Sequence, residues 1–221
     1  MKILILGATG RTGKLILTEA LKQGYDINCL VREPKKIKEN HDALTIFKGS
    51  PEQSSELENA IEGCEGVISA LNISRKSDFP WSKLRTPKTF LSDVMKNIIS
   101  ISEKNKINRI VVCSAWGVAE TEKEIPFWFK WIIKNSNIGV AYKDHERQEK
   151  LLKKTNLHWT IVRPSGLINS NKEQKIIESY NNNPKPKITI SRKSVAKFMV
   201  NALSNKKLYR QTPVISAKYL E

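Results

Sequence analysis

Apolar residues are not spread evenly along this chain but gather in short runs. Ile3 to Leu6, Ile27 to Val31, Leu44 to Phe47, Val67 to Leu71, Ile110 to Cys113 and Trp159 to Val162 are apolar at most successive positions and rich in Val, Ile and Leu. Strands buried on both faces have that pattern, so these six runs predict parallel strands. Between them lie amphipathic stretches, Thr12 to Gln23, Ser54 to Ile61, Lys88 to Lys104 and Lys143 to Lys154. In the third, Val94, Ile98 and Ile101 fall at i, i+4 and i+7 and mark one apolar helix face. Gly24 supplies a stop for the first helix. Strand and helix alternating in this way imply right-handed crossovers and an α/β fold, a doubly wound parallel sheet with helices on both faces. The tail adds a β-type run at Lys187 to Ile190, a helix at Ser194 to Leu203 and a last run at Thr212 to Ser216, expected to extend one edge of the sheet.

Length makes this one domain, residues 1–221, since single cores stop growing near ~250 to 300 residues. A small substrate-side portion is expected from about residues 120–140 and 165–190. Three cysteines, Cys29, Cys64 and Cys113, show no Cys-x-x-Cys spacing. They read as free thiols of a reducing compartment, with neither a disulfide frame nor a metal site. The apolar start ends after four residues without a cleavage signal, and no run approaches the ~20 residues of a membrane span. A cytoplasmic protein without a membrane partner is the expectation. The net charge is +16, and residues 111–221 carry +11 of it. The basic side chains are interspersed with Glu and Asn, and no helix-turn-helix or basic aromatic stripe accompanies them, so specific nucleic-acid binding is not expected.

The chemistry begins directly after the first strand. Gly7-Ala8-Thr9-Gly10-Arg11-Thr12-Gly13 joins it to a helical pattern. A pyrophosphate needs a tight turn at the first glycine, close backbone approach at the second and close helix packing at the third, with helix N-terminal N–H groups facing the anion. Gly7, Thr9, Gly10, Arg11, Thr12 and Gly13 are therefore assigned to a dinucleotide. The spacing is Gly-x-x-Gly-x-x-Gly, and here the chain resembles the atypical, NmrA-like branch of the short-chain dehydrogenase/reductase superfamily, with its Rossmann fold. GATGRTG at 7–13, LVREPKK at 30–36, GVISAL at 66–71, RIVVCSAWGV at 109–118, HWTIVRPSGL at 158–167 and ISRKSVAKFMV at 190–200 carry the resemblance in family order. It implies NAD(P) binding. For the reaction it implies two classes, biliverdin- or flavin-type reductases acting on a small molecule and non-enzymatic NADP(H) sensors, as monomer or homodimer.

The second strand ends at Leu30-Val31-Arg32, where an NAD-binding protein presents an acid and an NADP-binding one an arginine. Arg32, paired with Arg11, is expected on the 2′-phosphate, making NADP(H) the cofactor ahead of NAD(H). Where the family places an adenine-side Asp, this chain has Gly49-Ser50, and the Ser50 hydroxyl is the candidate replacement. Ala70 and Leu71 close the fourth predicted strand and Ser114 the fifth, at the carboxyl edge of the sheet where ligands bind. Ser114 resembles the family's serine beside the nicotinamide. The Tyr-x-x-x-Lys of the main branch is absent. Tyr142-Lys143-Asp144-His145 stands in its region, with His145 at the position of a histidine in the flavin/biliverdin reductase-like members, so Tyr142, Lys143 and His145 join Ser114 as catalytic candidates. Ile125 to Ile133 carries four aromatics and is read as a pocket wall, a dimer patch or a core helix.

Overall fold

Alternation along β1 (Lys2–Leu6) explains where the sheet lies. Ile3 and Ile5 enter one hydrophobic cluster and Leu4 and Leu6 the other, all four fully buried. The computed structural model describes residues 1–105, 107–172 and 174–219. β1 is followed by α1 (Arg11–Lys22), β2 (Asp26–Val31), β3 (Leu44–Lys48), α2 (Ser54–Ile61), β4 (Gly66–Ser69), α3 (Phe90–Lys104) and β5 (Arg109–Cys113). Then come α4 (Phe127–Lys134), α5 (Ile138–Lys153), β6 (His158–Pro164), β7 (Gly166–Ile168), β8 (Gln174–Ser179), β9 (Thr189–Ser191), α6 (Arg192–Ala202) and β10 (Val214–Tyr219).

The main sheet runs β3-β2-β1-β4-β5-β6-β10-β8. Every neighbouring pair is parallel except β10 with β8. One face is covered by α1 and α6, the other by α2, α3 and α5. This is the doubly wound Rossmann sheet expected, with an antiparallel edge that the sequence pattern did not announce. The chain leaves β1 toward β2 on one side and reaches β4 on the other, so strand order reverses between β1 and β4. A crevice must open above their carboxyl ends.

Three expectations change. β4 stops at Ser69, and Ala70 and Leu71 lie just beyond it, with the Ala70 N–H still bonded to the Leu6 carbonyl at 3.0 Å. The run at 187–190 does not extend the main sheet. Its ordered part, β9, pairs with β7 in a separate two-stranded sheet, while β10 alone joins β6. The helix predicted from Lys143, α5, begins at Ile138, five residues earlier.

Two polar devices hold the helices in place. Asp144 of α5 is fully buried and accepts from the backbone N–H groups of Leu91 and Ser92 at 2.7 and 3.3 Å, and from the Ser92 hydroxyl at 2.6 Å. It thereby caps α3, whose own Thr89 offers no side-chain cap, and sets a negative charge at a helix N-terminus. α6 is capped from its own sequence, Ser191 Oγ accepting from the Ser194 N–H at 3.0 Å.

Candidate functional site

A crevice of about 1060 Å³ opens above the strand ends, lined from Arg32 and Gly49 at one end to Trp128, Leu167 and Asn169 at the other. At its centre is the glycine turn. Gly7 has φ +84°, a left-handed conformation, and a side-chain carbon there would meet the Ala70 carbonyl at 3.0 Å. At Gly13 the same atom would lie 2.0 Å from the Gly7 carbonyl oxygen, so only glycine lets α1 pack onto the turn. α1 starts with no side-chain cap and no acid in its first turn. Its N-terminal N–H groups thus carry no side-chain cap and are placed to face an anion. Gly7, Thr9, Gly10, Arg11, Thr12, Ala70 and Leu71 line the crevice, while Gly13 lies behind it as packing.

Arg32 follows β2 and lines one end of the crevice with Val31, Gly49 and Pro51. Arg11, expected beside Arg32, also lines the crevice. Arg11 makes a two-pronged ion pair with Asp78, Nη1 to Oδ2 at 2.8 Å and Nη2 to Oδ1 at 2.7 Å. This bond joins the glycine turn to the 72–86 loop, and Arg192 stands near enough to act on Asp78 as well. Ser50, the adenine-side candidate, is not among the residues lining the crevice. Its hydroxyl donates to Glu52 at 3.3 Å, and its neighbours Gly49 and Pro51 line the crevice in its place.

At the other end Ser114, Tyr142 and His145 come together and Lys143 does not. Lys143 is exposed on α5 and stands away from the crevice, because the inward positions of that turn are taken by Ala141, Asp144 and His145. Ser114 donates its hydroxyl proton to Glu149 Oε1 at 2.6 Å. Glu149 is itself held by Arg163, through Nε at 3.1 Å and a short contact from Nη2. Arg163 reaches on to Glu120 Oε1 at 2.7 Å. Glu149 and Arg163 are each only 1% exposed. Burial opposes charge on Arg163, yet the hydrogen bonds to Glu149 and Glu120 hold its pKa above the ordinary arginine value. Burial likewise works against charge on Glu120, and the Arg163 hydrogen bond overrides it, bringing the pKa down to about 2. Because its proton is committed to Glu149, Ser114 offers a ligand lone pairs only.

His145 is 4% exposed and makes no hydrogen bond among the described residues; its Nδ1 is buried without a partner. Burial pulls its pKa down to about 4, against the pull of the Glu149 and Asp144 carboxylates. Tyr142 donates its hydroxyl to the Trp116 carbonyl at 3.3 Å, and burial raises its pKa, so it stays protonated. Ser165 Oγ is a further buried polar atom without a partner in a residue lining this end. Sequence reading reaches Arg163 only within Arg163-Pro164-Ser165-Gly166, a run placed by position on the substrate side, and misses Glu149 and the hold of the pair on Ser114. Their signal is one charged residue inside a predicted helix and another directly after the sixth predicted strand, at positions the fold buries.

The aromatic segment is mostly not core. Phe127, Trp128 and Trp131 are 82%, 56% and 53% exposed, whereas Phe129 packs edge-on against Tyr142 with ring centres 6.3 Å apart. Trp128 and Phe129 line the crevice. All three cysteines are free, and burial raises Cys29 and Cys113 to about 12 and Cys64 to about 11, so they remain protonated. No helix among the described residues is long and apolar enough to cross a membrane, and no cluster among them is suited to hold a metal ion.

A glycine turn at a topological switch point, with an uncapped helix above it, defines a Rossmann-type dinucleotide-binding protein. The family model described as NAD(P)H-binding matches residues 7–206, and the chain belongs to that family. Among similar proteins is the photosystem II assembly factor Ycf39 of Synechocystis, 28% identical over 99% of this chain; this chain spans 63% of its length. The fold is shared with the solved structure of the oxidoreductase ylbE from Lactococcus lactis, at TM-score 0.81 and 18% identity, covering 99% of this chain and 92% of that one. It is shared with the anaerobillin reductase ChuY from Escherichia coli O157:H7, at TM-score 0.80 and 18% identity over 100% and 99%. A short-chain dehydrogenase/reductase from Veillonella parvula solved in complex with NADP matches at TM-score 0.75 and 22% identity over 97% and 94%.

Proposed function

We propose that the protein is an NADPH-dependent reductase acting on a small planar, apolar acceptor of flavin, quinone or tetrapyrrole type. The observation that carries this is continuity. One crevice runs from the glycine turn past Ser114 and His145 into a chamber walled by Trp116, Phe129, Tyr142 and Leu167. The turn fits the cofactor, since a side-chain carbon would crowd the Ala70 backbone at Gly7 and the Gly7 carbonyl at Gly10 and Gly13, which keeps the turn bare. The first-turn N–H groups of α1 hold the pyrophosphate, and Arg32 holds the 2′-phosphate.

When bound, the nicotinamide cofactor supplies the hydride. The chain's own residues orient and exclude. Ser114, with its hydrogen drawn to Glu149, accepts a hydrogen bond from a ligand N–H or O–H and so fixes the ligand's orientation. Near neutral pH His145 is an uncharged imidazole, a weak donor with no role as a charged acid. Tyr142 keeps its proton on the Trp116 carbonyl. Among the described residues no strong general acid faces the chamber, which suits an acceptor whose reduced form takes its proton from water and disfavours a ketone.

The test is NADPH oxidation against a panel of flavins, quinones and tetrapyrroles. With a responsive acceptor, Ser114→Ala should slow single-turnover hydride transfer by about tenfold with cofactor affinity little changed, the scale of one neutral hydrogen bond. Binding of NADPH without oxidation by any acceptor would overturn the reading. One observation favours the second reading, an NADP(H) sensor without turnover. The Arg11–Asp78 pair ties the phosphate turn to the 72–86 loop, and a bound phosphate competing for Arg11 would release that loop.

A further inference from the structure

Six large apolar side chains stand in solvent about the substrate end of the crevice. Besides Phe127, Trp128 and Trp131 of α4, they are Phe79, Trp81 and Ile188, at 62%, 45% and 59% exposure. They belong together. Trp81 Nε1 donates to the Asn135 carbonyl at 2.6 Å, and Asn137 Nδ2 donates to the carbonyls of Trp81 and Ser82 at 3.1 and 3.2 Å, which binds the 72–86 loop to the end of α4. Trp128, Ile188 and Asp78 of that same loop all border the crevice. Of the eight residues of α4, only Ile133 is buried. A soluble chain rarely leaves so many large apolar groups on one mouth unless something covers them.

The charge around them says what. Lys76 and Lys83 flank Phe79 and Trp81, and Lys185 and Lys187 precede Ile188; all four are exposed and none enters a salt bridge among the described residues. Lys130 and Lys134 add two more on α4, sharing Glu122 at 3.3 and 3.5 Å. A second copy fits this rim badly, because two chains of net +16 would meet lysine to lysine. An anionic lipid surface fits it well. Trp and Phe settle at headgroup depth, lysine stems lie along them, and the ammonium groups reach the phosphates. We propose that this aromatic mouth seats on an anionic lipid surface, with α4 lying in the headgroup layer and the crevice opening toward the bilayer. The expectation of no membrane partner rested on the lack of a spanning segment, which a surface contact does not need.

The experiment is flotation of the full chain with vesicles of phosphatidylcholine alone and of phosphatidylcholine mixed with phosphatidylglycerol, without cofactor or acceptor, so that its outcome is independent of the reductase reading. Co-flotation with the mixed vesicles, little with the neutral ones, and a blue shift of tryptophan emission are expected. The combined variant Phe79→Ser, Phe127→Ser, Trp131→Ser lies outside the crevice lining. It should lose more than about tenfold in vesicle affinity while binding NADPH as the unmodified chain does, which also reports that it is folded. If it fails to bind NADPH, Phe127→Ser alone, at the most exposed ring, should still weaken flotation measurably. Three results would overturn the proposal: no flotation with anionic vesicles, undiminished flotation of the variants, or an unmodified dimer that the variant turns into a monomer, which would assign the mouth to a second copy.

Discussion

At the scale of single residues, Arg32 carries the proposed cofactor choice and His145 a part of the stability in acid. A charge-assisted contact to a phosphate is worth ~1.5 to 3 kcal/mol, so NADP(H) should bind roughly tenfold or more tighter than NAD(H) at low salt. Arg32→Ala should erase the difference; equal affinities in the unmodified chain, measured by titration calorimetry, would end that assignment. His145 has its pKa lowered from the ordinary 6.5 to about 4 by burial. Between these values the unfolded chain binds a proton that the folded chain does not, so stability falls as pH drops from about 6.5 to about 4, and His145 adds no further loss below that. The full shift corresponds to about 3 kcal/mol at most. His145→Gln should flatten this part of the stability curve in urea melts at successive pH values, and an unaltered slope would show that the imidazole is already charged in the fold.

At the scale of elements, the glycine turn is the least tolerant piece. Gly13→Ala would push a carbon to 2.0 Å from the Gly7 carbonyl, a distance no packing allows, so α1 must move off the turn. Overpacking costs typically ~1 to 3 kcal/mol, and because the N–H groups move with the helix, NADPH affinity should fall more than about tenfold as well. Unchanged melting and binding would mean that the turn is looser than its geometry. This turn was readable in the sequence, as were the parallel strands, because both depend on local composition: glycines at fixed spacing and strands apolar on both faces. The carboxylate–guanidinium support of Ser114 was not. α5 turns Asp144, His145, Gln148 and Glu149 inward, so its buried face is polar and a search for apolar periodicity starts the helix late; Lys143 enters the candidate site only through its place beside Tyr142 in the region of the missing Tyr-x-x-x-Lys. α4 is the converse case, with an aromatic face turned to solvent, which hydrophobicity alone assigns as readily to a core. β8 and β7 were missed for a third reason: QKIIES and GLI are short and show no alternation, and pairing with β10 and β9 is what makes them strands.

At the scale of the whole molecule, the question is whether the glycine-turn half and the basic C-terminal half behave as separate bodies. The packing argues against it. α1 from the start of the chain and α6 from its end share one cluster, Ile16, Leu17 and Ala20 lying in it with Val195, Met199 and Ala202. The opposite cluster gathers α2, α3 and α5 over the same strands, and β1 feeds both through alternate residues. Removing either half therefore exposes both faces of the sheet at once. We expect urea unfolding to be a single transition, with near-ultraviolet and far-ultraviolet circular dichroism superimposing. NADPH at ~100 times its dissociation constant should shift that transition as a unit by about 2.7 kcal/mol, since a ligand that binds only the folded chain stabilises everything that unfolds with its site. Two separated transitions, or a ligand shift confined to one probe, would show that the C-terminal elements form a unit of their own. The shared α1–α6 cluster would then be too weak to couple the substrate end to the turn.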